Sequence, residues 1–376
     1  VEVPLVRSFV LSSKAGSEAW VEPKITGDSY QFRVRVGKPP AGALVGTVER
    51  TGGTCVMSQS AMPFKYIRAE GQGGRMSSRL MAIVAEGNRG RVYLSPTKES
   101  IEVANSTHPS WKPEHSLPVN PRDFKTPNYG LNTFGDLFTQ RQLVALTTFS
   151  DLVQEAREKA YKDAKSAGRP DDESSLADGG LGAKAYAEAI SVYLAFALNK
   201  VSVYSNTICT WLNQPKNEIV GNSFGRQAIP MTWDYAEANH FCNSGGTILK
   251  QLEYVVKVIN QSLNSVVVPS IAIQRDAATQ HESLNKVIST DPPYYDNIGY
   301  ADLSDFLYVW MRRSLRSVYP ELFETMAVPK EEELIASSYR HGSKEKAEVF
   351  FLNGMTGAIQ NLVELAHPGF PITIYY

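Results

Sequence analysis

The sequence predicts an α/β protein with a partial Rossmann-like core in its C-terminal third, a β-rich N-terminal region and a helical middle region. Apolar residues alternate with polar ones near residue 30, apolar stripes at helical spacing fill residues 140 to 263, and strand-like and helix-like segments alternate after residue 266. We therefore expect three domains: a β-rich accessory region at 1–120, a helical region at 121–265 and the core at 266–376.

Composition places the chain among ordinary globular proteins. Of its 376 residues, 43% are hydrophobic and 20% are charged, and the net charge is −1. Nucleic-acid binding would therefore depend on local basic patches and not on a global positive field. There is no run of 18 apolar residues, so the sequence predicts no membrane contact. Its three cysteines lie far apart, which favours a reducing, cytoplasmic location over a disulfide framework.

The N-terminal region reads as short strands. Tyr30, Phe32, Val34 and Val36 alternate with polar residues, and further strands are expected at 80–84 and 91–94. Gly71-Gln72-Gly73-Gly74 lacks the Gly-Lys-Ser/Thr ending of a phosphate loop, so we expect a turn or flexible loop there.

Basic residues are concentrated between positions 61 and 100. Seven Lys/Arg and three acids give this stretch a local charge of +4, and Arg68, Arg75 and Arg79 lie within it. Contact with nucleic-acid phosphates is one interpretation, because neutralised phosphates release counterions. A basic face that is merely solvated is the other, and the sequence leaves both open.

The middle region reads as a linker at 108–127 followed by three helices. Thr139 with Gln142 forms a capping box, which predicts a helix start, and residues 166–182 predict a loop. A second helix is expected from Ala183 to about Leu212 and a third from Thr247 to Leu263, each with an apolar stripe.

The C-terminal region is organised around Asp291-Pro292-Pro293-Tyr294. Strands are expected at 266–273 and 287–290, a helix with Leu303, Phe306, Leu307 and Trp310 on one face follows the turn, and a helix at about 345–365 precedes a last strand. Residues that follow a strand at the carboxyl end of an open α/β sheet lie where ligands bind. Asp-Pro also starts ordinary surface turns, so the motif alone leaves a purely structural role open.

Several stretches together resemble one family, the large prokaryotic adenine-specific DNA methylases that carry a zinc-ribbon module. The similar stretches span most of the chain: 66–71, 133–139 with 149–152, 226–231 through 239, 291–297 and 300–306. The resemblance implies an S-adenosylmethionine-dependent enzyme that methylates the exocyclic amino group of a flipped base in DNA. Adenine N6 is the expected target ahead of cytosine N4, and subunits of a restriction or defence system are the protein partners such an enzyme would have.

The resemblance assigns the catalytic site to the Asp-Pro-Pro-Tyr turn. Asp291 and the Pro292 carbonyl would each accept one N–H of the amine, which favours a pyramidal nitrogen whose lone pair faces the methyl group. Pro292 and Pro293 keep the turn rigid and bring no competing N–H donor. Tyr294 would stack on the base after it leaves the duplex. Tyr295 and Asn297 are further candidates for contact with nucleic acid, beside the three arginines.

The resemblance also implies two absences. The family's Gly-rich Asp-Pro-Phe-x-Gly-x-Gly loop for S-adenosylmethionine does not occur here, and the chain begins at Val1 and ends in the strand-like run 371–376. We therefore expect a fragment of a longer protein that is inactive by itself. The family's Cys-x-x-Cys knuckle reads Cys55-Val56-Met57-Ser58, so one thiolate is missing and we expect no zinc.

The sequence leaves open the role of one residue, Asp276, and two alternative functions. Asp276 follows the expected strand before the motif strand, where an acid in methyltransferases of this sheet type often accepts from the adenine amine of the cofactor; a helix N-cap is its alternative role. The same turn occurs in ribosomal RNA guanine-N2 methyltransferases. A catalytically inactive DNA-binding module is the third interpretation.

Overall fold

The computed structural model describes residues 1–42, 45–88, 90–263 and 272–375. The chain divides into two compact units, each assembled from separate stretches of sequence. The first unit comprises Val1–Leu117, Pro121–Val256 and Trp310–Phe323. The second comprises Pro118–Asn120, Lys257–Val309 and Glu324–Tyr376.

The first unit opens with an antiparallel sheet of three strands, β1 (Val10–Ser12), β2 (Ala19–Thr26) and β3 (Ser29–Val36). Thr26 pairs with Ser29 across a two-residue turn, which fixes the register so that the apolar side chains of both strands reach one face. They form a core that excludes water, made of Val6, Phe9, Leu11, Ala19, Val21, Tyr30 and Phe32. The alternation predicted for β3 is confirmed for Tyr30 and Phe32, whereas Val36 is exposed.

Three antiparallel hairpins add to this unit. They pair β4 with β5 (Gly52–Thr54, Ala61–Pro63), β6 with β7 (Ile83–Gly87, Gly90–Leu94) and β8 with β9 (Trp211–Gln214, Asn217–Val220). The strands expected near 80–84 and 91–94 are thus the two arms of one hairpin, with the first arm beginning three residues later than predicted.

Helices supply the rest of the first unit. They are α1 (Phe64–Gln72), α2 (Lys98–Asn105), α3 (Gln140–Ser166) and α4 (Ala183–Ser202), with 3-10 turns at Thr126–Tyr129 and Phe134–Leu137. The predicted capping box is confirmed, because Thr139 Oγ1 accepts from the Gln142 N–H at 3.2 Å and Gln142 Oε1 accepts from the Thr139 N–H at 2.9 Å. The loop predicted at 166–182 is also confirmed.

Three predictions for this region need correction. The second helix ends at Ser202 and does not reach Leu212, which lies in β8. Of the turn or flexible loop expected at 71–74, Gly71 and Gln72 belong to the last turn of α1, and only Gly73 and Gly74 form a turn. The stretch 108–127 is largely irregular, but Leu117 and Phe124 in it are buried, so it packs as part of the fold and is not a free linker.

Two helices contribute residues to both units, α5 (Ile248–Leu263) and α6 (Tyr300–Leu315). The third predicted helix and the helix after the motif are thereby confirmed. The second unit also contains α7 (Ser338–His341) and α8 (Lys344–Leu365), and α8 begins where Ser343 Oγ accepts from the Lys346 N–H at 3.2 Å.

The strands of the second unit are short. β10 (Ser289–Thr290) and β11 (Thr373–Ile374) pair in parallel, and α6, α7 and α8 lie between them in the chain. Of the strand predicted at 287–290, only the last two residues form β10. Most of the strand predicted at 266–273 lies outside the described residues, while Ala272 and Ile273 have no regular structure.

The fold is α/β in a general sense, since helices combine with small sheets throughout the described ranges. A parallel strand pair with a helical crossover is the element from which doubly wound sheets are built. The Rossmann-like core stays a prediction, because the described strands of the second unit form this one pair.

Candidate active site

The Asp-Pro-Pro-Tyr turn begins at the carboxyl end of β10. The Tyr375 N–H donates to the Thr290 carbonyl at 2.9 Å, so parallel pairing extends to the last residue before Asp291. The two prolines that follow fix their own φ angles and carry no N–H. The Asn297 N–H then donates to the Tyr294 carbonyl at 2.9 Å and closes the turn. The sequence thus places a carboxylate immediately beyond a strand end, on a backbone with little freedom.

Asp291 and Tyr294 contact each other within this turn. The Tyr294 hydroxyl donates to Asp291 Oδ1 at 2.7 Å, and both side chains are exposed to solvent. This hydrogen bond raises the pKa of Tyr294, because ionisation would place a phenolate beside the carboxylate. The carboxylate therefore accepts from a neutral donor on an aromatic ring, and solvent still reaches it.

Tyr295 is held more firmly than its neighbour. Its hydroxyl donates to Glu348 Oε1 at 2.7 Å, its ring packs edge-to-face on Phe351 with centroids 5.5 Å apart, and its carbonyl accepts from the Ala336 N–H at 3.0 Å. The hydrogen bond to Glu348 raises the pKa of Tyr295 to about 12. Its φ of +46° is in the left-handed region, which is uncommon for a bulky residue. Residues from α8 therefore fix this side chain, and its contact with nucleic acid stays a prediction.

A buried polar network lies behind the turn, and sequence reasoning missed it. Asp302 is 1% exposed and accepts from Asn120 Nδ2 at 2.9 Å and from the Tyr339 hydroxyl at 2.8 Å. Arg340 forms an ion pair with Asp302 at 2.9 Å and with Glu333 at 2.6 Å. The network connects the first turn of α6 to the segment that carries Ala336, whose N–H supports Tyr295.

A second buried acid on α6 extends this network. Asp305 is 1% exposed, forms an ion pair with Lys330 at 2.6 Å and accepts from the Val328 N–H at 2.7 Å. Burying a carboxylate is costly unless charge and hydrogen bonds compensate it. Both acids fall in the stretch 300–306 that carries the resemblance, but their chemistry here is structural.

Asp276, the candidate cofactor contact, caps a turn. Its Oδ1 accepts from the Ala278 N–H at 2.9 Å, its carbonyl accepts from the Gln280 N–H at 3.0 Å, and its side chain is exposed. The sequence left a helix N-cap open as its structural role, but residues 277–279 form a turn and not a helix. The hydrogen bonds described for Asp276 are local to its own turn, so its geometry supports no chemical step through S-adenosylmethionine.

The predicted basic contacts belong to the first unit, and two of the three arginines are paired with acids. Arg75 donates to both carboxylate oxygens of Glu70 at 2.7 and 3.0 Å, and Arg79 lies 3.7 Å from Glu2. Arg68 lies over the Tyr129 ring, 5.8 Å from its centroid. Pairing with acids reduces the charge available to phosphates. Arg89, part of the same basic stretch, lies outside the described residues.

The Cys55 knuckle keeps one feature of a metal-binding turn. The Ser58 N–H points at Cys55 Sγ at 3.5 Å, between β4 and β5, and the hydrogen bonds from Ser58 lower the pKa of this thiol. Within the described ranges, no three His, Cys, Asp or Glu side chains are grouped as metal ligands would be. The absence of zinc stays a prediction.

A cleft of about 610 Å³ beside this knuckle is lined by first-unit residues, among them Phe9, Trp20 and Val56.

Comparison with known proteins does not add to this geometry. No protein-family profile, curated protein or solved structure matches the chain. Among the described helices, none is long and apolar enough to cross a membrane. A function must therefore be argued from the turn and its surroundings.

Proposed function

We propose that this chain provides the base-binding turn of an S-adenosylmethionine-dependent DNA methyltransferase that acts on an exocyclic amino group, with adenine N6 as the target. One observation supports this above the others. The Asp291 carboxylate stands exposed at the carboxyl end of a parallel strand and already accepts a hydrogen bond from a donor on an aromatic ring. An exocyclic amine is a donor of the same kind.

The proposed chemistry concerns the base alone. The lone pair of an exocyclic amine is delocalised into its ring, so the nitrogen is a poor nucleophile. Asp291 would accept one amino N–H and the Pro292 carbonyl the other, which turns the lone pair out of the ring plane. The Asp291 carboxylate would stabilise positive charge that develops on this nitrogen and would accept the proton that the amine loses. Because the prolines fix the turn, these acceptors need no rearrangement.

Tyr294 would supply the surface on which the base rests. Its side chain is 38% exposed, so its ring has room for a planar partner. Stacking of a base on an aromatic side chain contributes about 1–3 kcal/mol and does not depend on sequence. The base must leave its duplex to reach such a site.

The first prediction tests whether Asp291 binds an amine. A fluorescein-labelled single strand of twelve deoxyadenosines is compared, by anisotropy, with a strand of the same length whose purines lack the 6-amino group. We expect the wild-type chain to prefer the amino strand by about tenfold, the value of a hydrogen bond to a charged acceptor. Asp291→Ala should lose this preference and Glu364→Gln, an exposed acid on α8, should keep it. Equal affinity of the wild-type chain for both strands would contradict the proposal.

A transfer assay tests the substrate class. In the full-length protein, labelled methyl groups should enter duplex DNA and not ribosomal RNA, and Asp291→Ala should abolish transfer while DNA affinity stays within a few-fold. Transfer to ribosomal RNA alone would favour guanine N2 instead. DNA binding without any amine preference would favour an inactive binding module.

A further inference from the structure

The contact between Asp291 and Tyr294 has a role that the proposed function does not require. We propose that the Tyr294 hydroxyl holds the place of the amine on Asp291 until a base displaces it, after which the freed ring stacks on that base. This inference rests on the proposed function, because it concerns the same carboxylate. It makes Tyr294 both an internal competitor and the stacking partner of the ligand.

The geometry supports exchange between two equivalent donors. The phenol O–H lies 2.7 Å from Asp291 Oδ1, a normal distance for a donor to an ionised acceptor. An exocyclic amino group is likewise a neutral donor on a flat ring. A base that takes this position replaces the hydrogen bond that it breaks, so the carboxylate keeps a partner throughout.

The backbone of the turn allows this exchange without refolding. Asp291 and Tyr294 are separated by the two prolines, whose rings restrict main-chain rotation. Tyr294 is exposed, and exposed side chains change rotamer within nanoseconds. Release of the hydroxyl therefore requires rotation of the Tyr294 side chain and no change in the backbone of the turn.

The neighbouring tyrosine shows the contrast. Tyr295 is tied through its hydroxyl to Glu348, through its ring to Phe351 and through its carbonyl to Ala336. Each of these groups would have to move before Tyr295 could reach a ligand. Tyr295 is therefore fixed by its neighbours, whereas the hydroxyl of the exposed Tyr294 contacts an exposed carboxylate.

The ligand class follows from this exchange. A planar heteroaromatic ring that carries an exocyclic amine, such as adenine, cytosine or guanine, can replace the phenol on Asp291 and then stack. Thymine and uracil carry no such amine. Their ring N3–H lies between two carbonyl oxygens that a carboxylate repels, so we expect them to bind weakly.

A double-mutant cycle tests the exchange with the same amino and amine-free strands. Tyr294→Phe keeps the ring and removes the competing hydroxyl, so it should bind the twelve-deoxyadenosine strand about three- to tenfold more tightly than wild type. The gain should vanish when Asp291→Ala is also present, because no hydrogen bond remains to release. Tyr294→Leu should weaken binding, and Tyr193→Phe, which changes an exposed tyrosine of the first unit, should change nothing.

The outcomes separate the two proposals. An amine preference in the wild-type chain, without a gain in Tyr294→Phe, overturns the exchange and leaves the proposed function standing. A gain that persists in the Asp291→Ala background also overturns the exchange, because the hydroxyl would then compete elsewhere. No amine preference in the wild-type chain overturns the proposed function and the exchange with it. Circular dichroism of each variant confirms that these exposed substitutions leave the fold intact.

Discussion

At the scale of single residues, the second unit contrasts two kinds of carboxylate. Asp291 is exposed and contacts a hydroxyl that a ligand could displace, whereas Asp302 is 1% exposed and is held by an arginine, an amide and a phenol. A carboxylate that water reaches can serve binding, because exchanging its partner leaves no buried charge. A buried one cannot exchange partners without large cost.

The burial of this network predicts how much one arginine contributes to stability. Arg340 is 12% exposed and pairs with Asp302 and Glu333, so Arg340→Ala would leave a buried carboxylate undercompensated. We expect a loss of about 3–5 kcal/mol in the free energy of unfolding, measured with urea. Arg275→Ala is the matched control, because its pair with Glu282 is more than half exposed and 3.9 Å long. That variant should change stability by less than about 1 kcal/mol. Similar losses in both variants would show that burial does not set the strength of these pairs.

Polar pairs between residues close in sequence could be predicted, but this network could not. The capping box of Thr139 and Gln142 was readable because its partners are three residues apart and have a fixed geometry. Tyr339 and Asp302 are 37 residues apart, and no periodicity relates them. Long-range polar pairs depend on how elements pack, so the residues that support the turn became visible only in the folded chain.

At the scale of elements, α1 shows a glycine used for close packing. A Cβ on Gly71 would lie 2.5 Å from the Tyr129 carbonyl oxygen, and one on Gly130 would lie 2.4 Å from the Gly71 carbonyl oxygen. Two backbones therefore meet where the sequence predicted a turn or flexible loop. Loop-like composition and close backbone approach both select glycine, which is why composition alone could not distinguish them.

This close approach predicts a strong effect of one methyl group. Gly71→Ala should destabilise the chain by about 1–3 kcal/mol, because the backbone of the facing 3-10 turn must shift to admit the Cβ. Gly225→Ala is the control, since a Cβ there meets nothing within 4 Å. Thermal unfolding of both variants beside the wild-type chain measures the difference. If Gly71→Ala unfolds at the wild-type temperature, the two backbones are not in the contact described.

The periodicity of apolar residues predicted helices more accurately than their alternation predicted strands. The ends predicted for α5 and α8 lie within about one residue of the observed ends, and α6 contains the four apolar residues that its pattern named. The predicted end of α4 was wrong, because helical spacing of apolar residues continued past Ser202 although the chain turns there and enters β8. Strands of two to four residues, such as β8 and β10, are too short for their alternation to be distinguished from chance.

At the scale of the whole molecule, the sequence indicated the class of fold and not its arrangement. Alternating strands and helices predicted α/β, and the described chain combines both. The order of strands in a sheet depends on crossovers between distant segments, such as the one that pairs β10 with β11 across three helices. Such pairings are set by packing and not by local pattern.

The folding free energy of the whole chain should also depend on pH through one buried histidine. His240 is buried in the first unit, where its Nε2 lies 3.1 Å from the Ser205 hydroxyl and its ring packs edge-to-face on Phe149. Burial lowers the pKa of His240, although the nearby Glu237 carboxylate acts in the opposite direction. The folded chain therefore favours the neutral imidazole more strongly than an unfolded chain does.

The sign of the dependence follows from this difference in proton binding. An unfolded histidine has a pKa of about 6.5, so below that pH the unfolded state takes up a proton that the folded state binds less readily. The contribution of His240 to the free energy of unfolding is complete above about pH 6.5. It falls with decreasing pH towards the lower folded pKa, by at most about 1.4 kcal/mol per pH unit. Urea unfolding between pH 7.5 and 5.5 should show a steeper loss for wild type than for His240→Gln, while the exposed His281→Gln should follow wild type. Parallel curves for wild type and His240→Gln would mean that this imidazole binds its proton equally well in both states, and burial would then not control its charge.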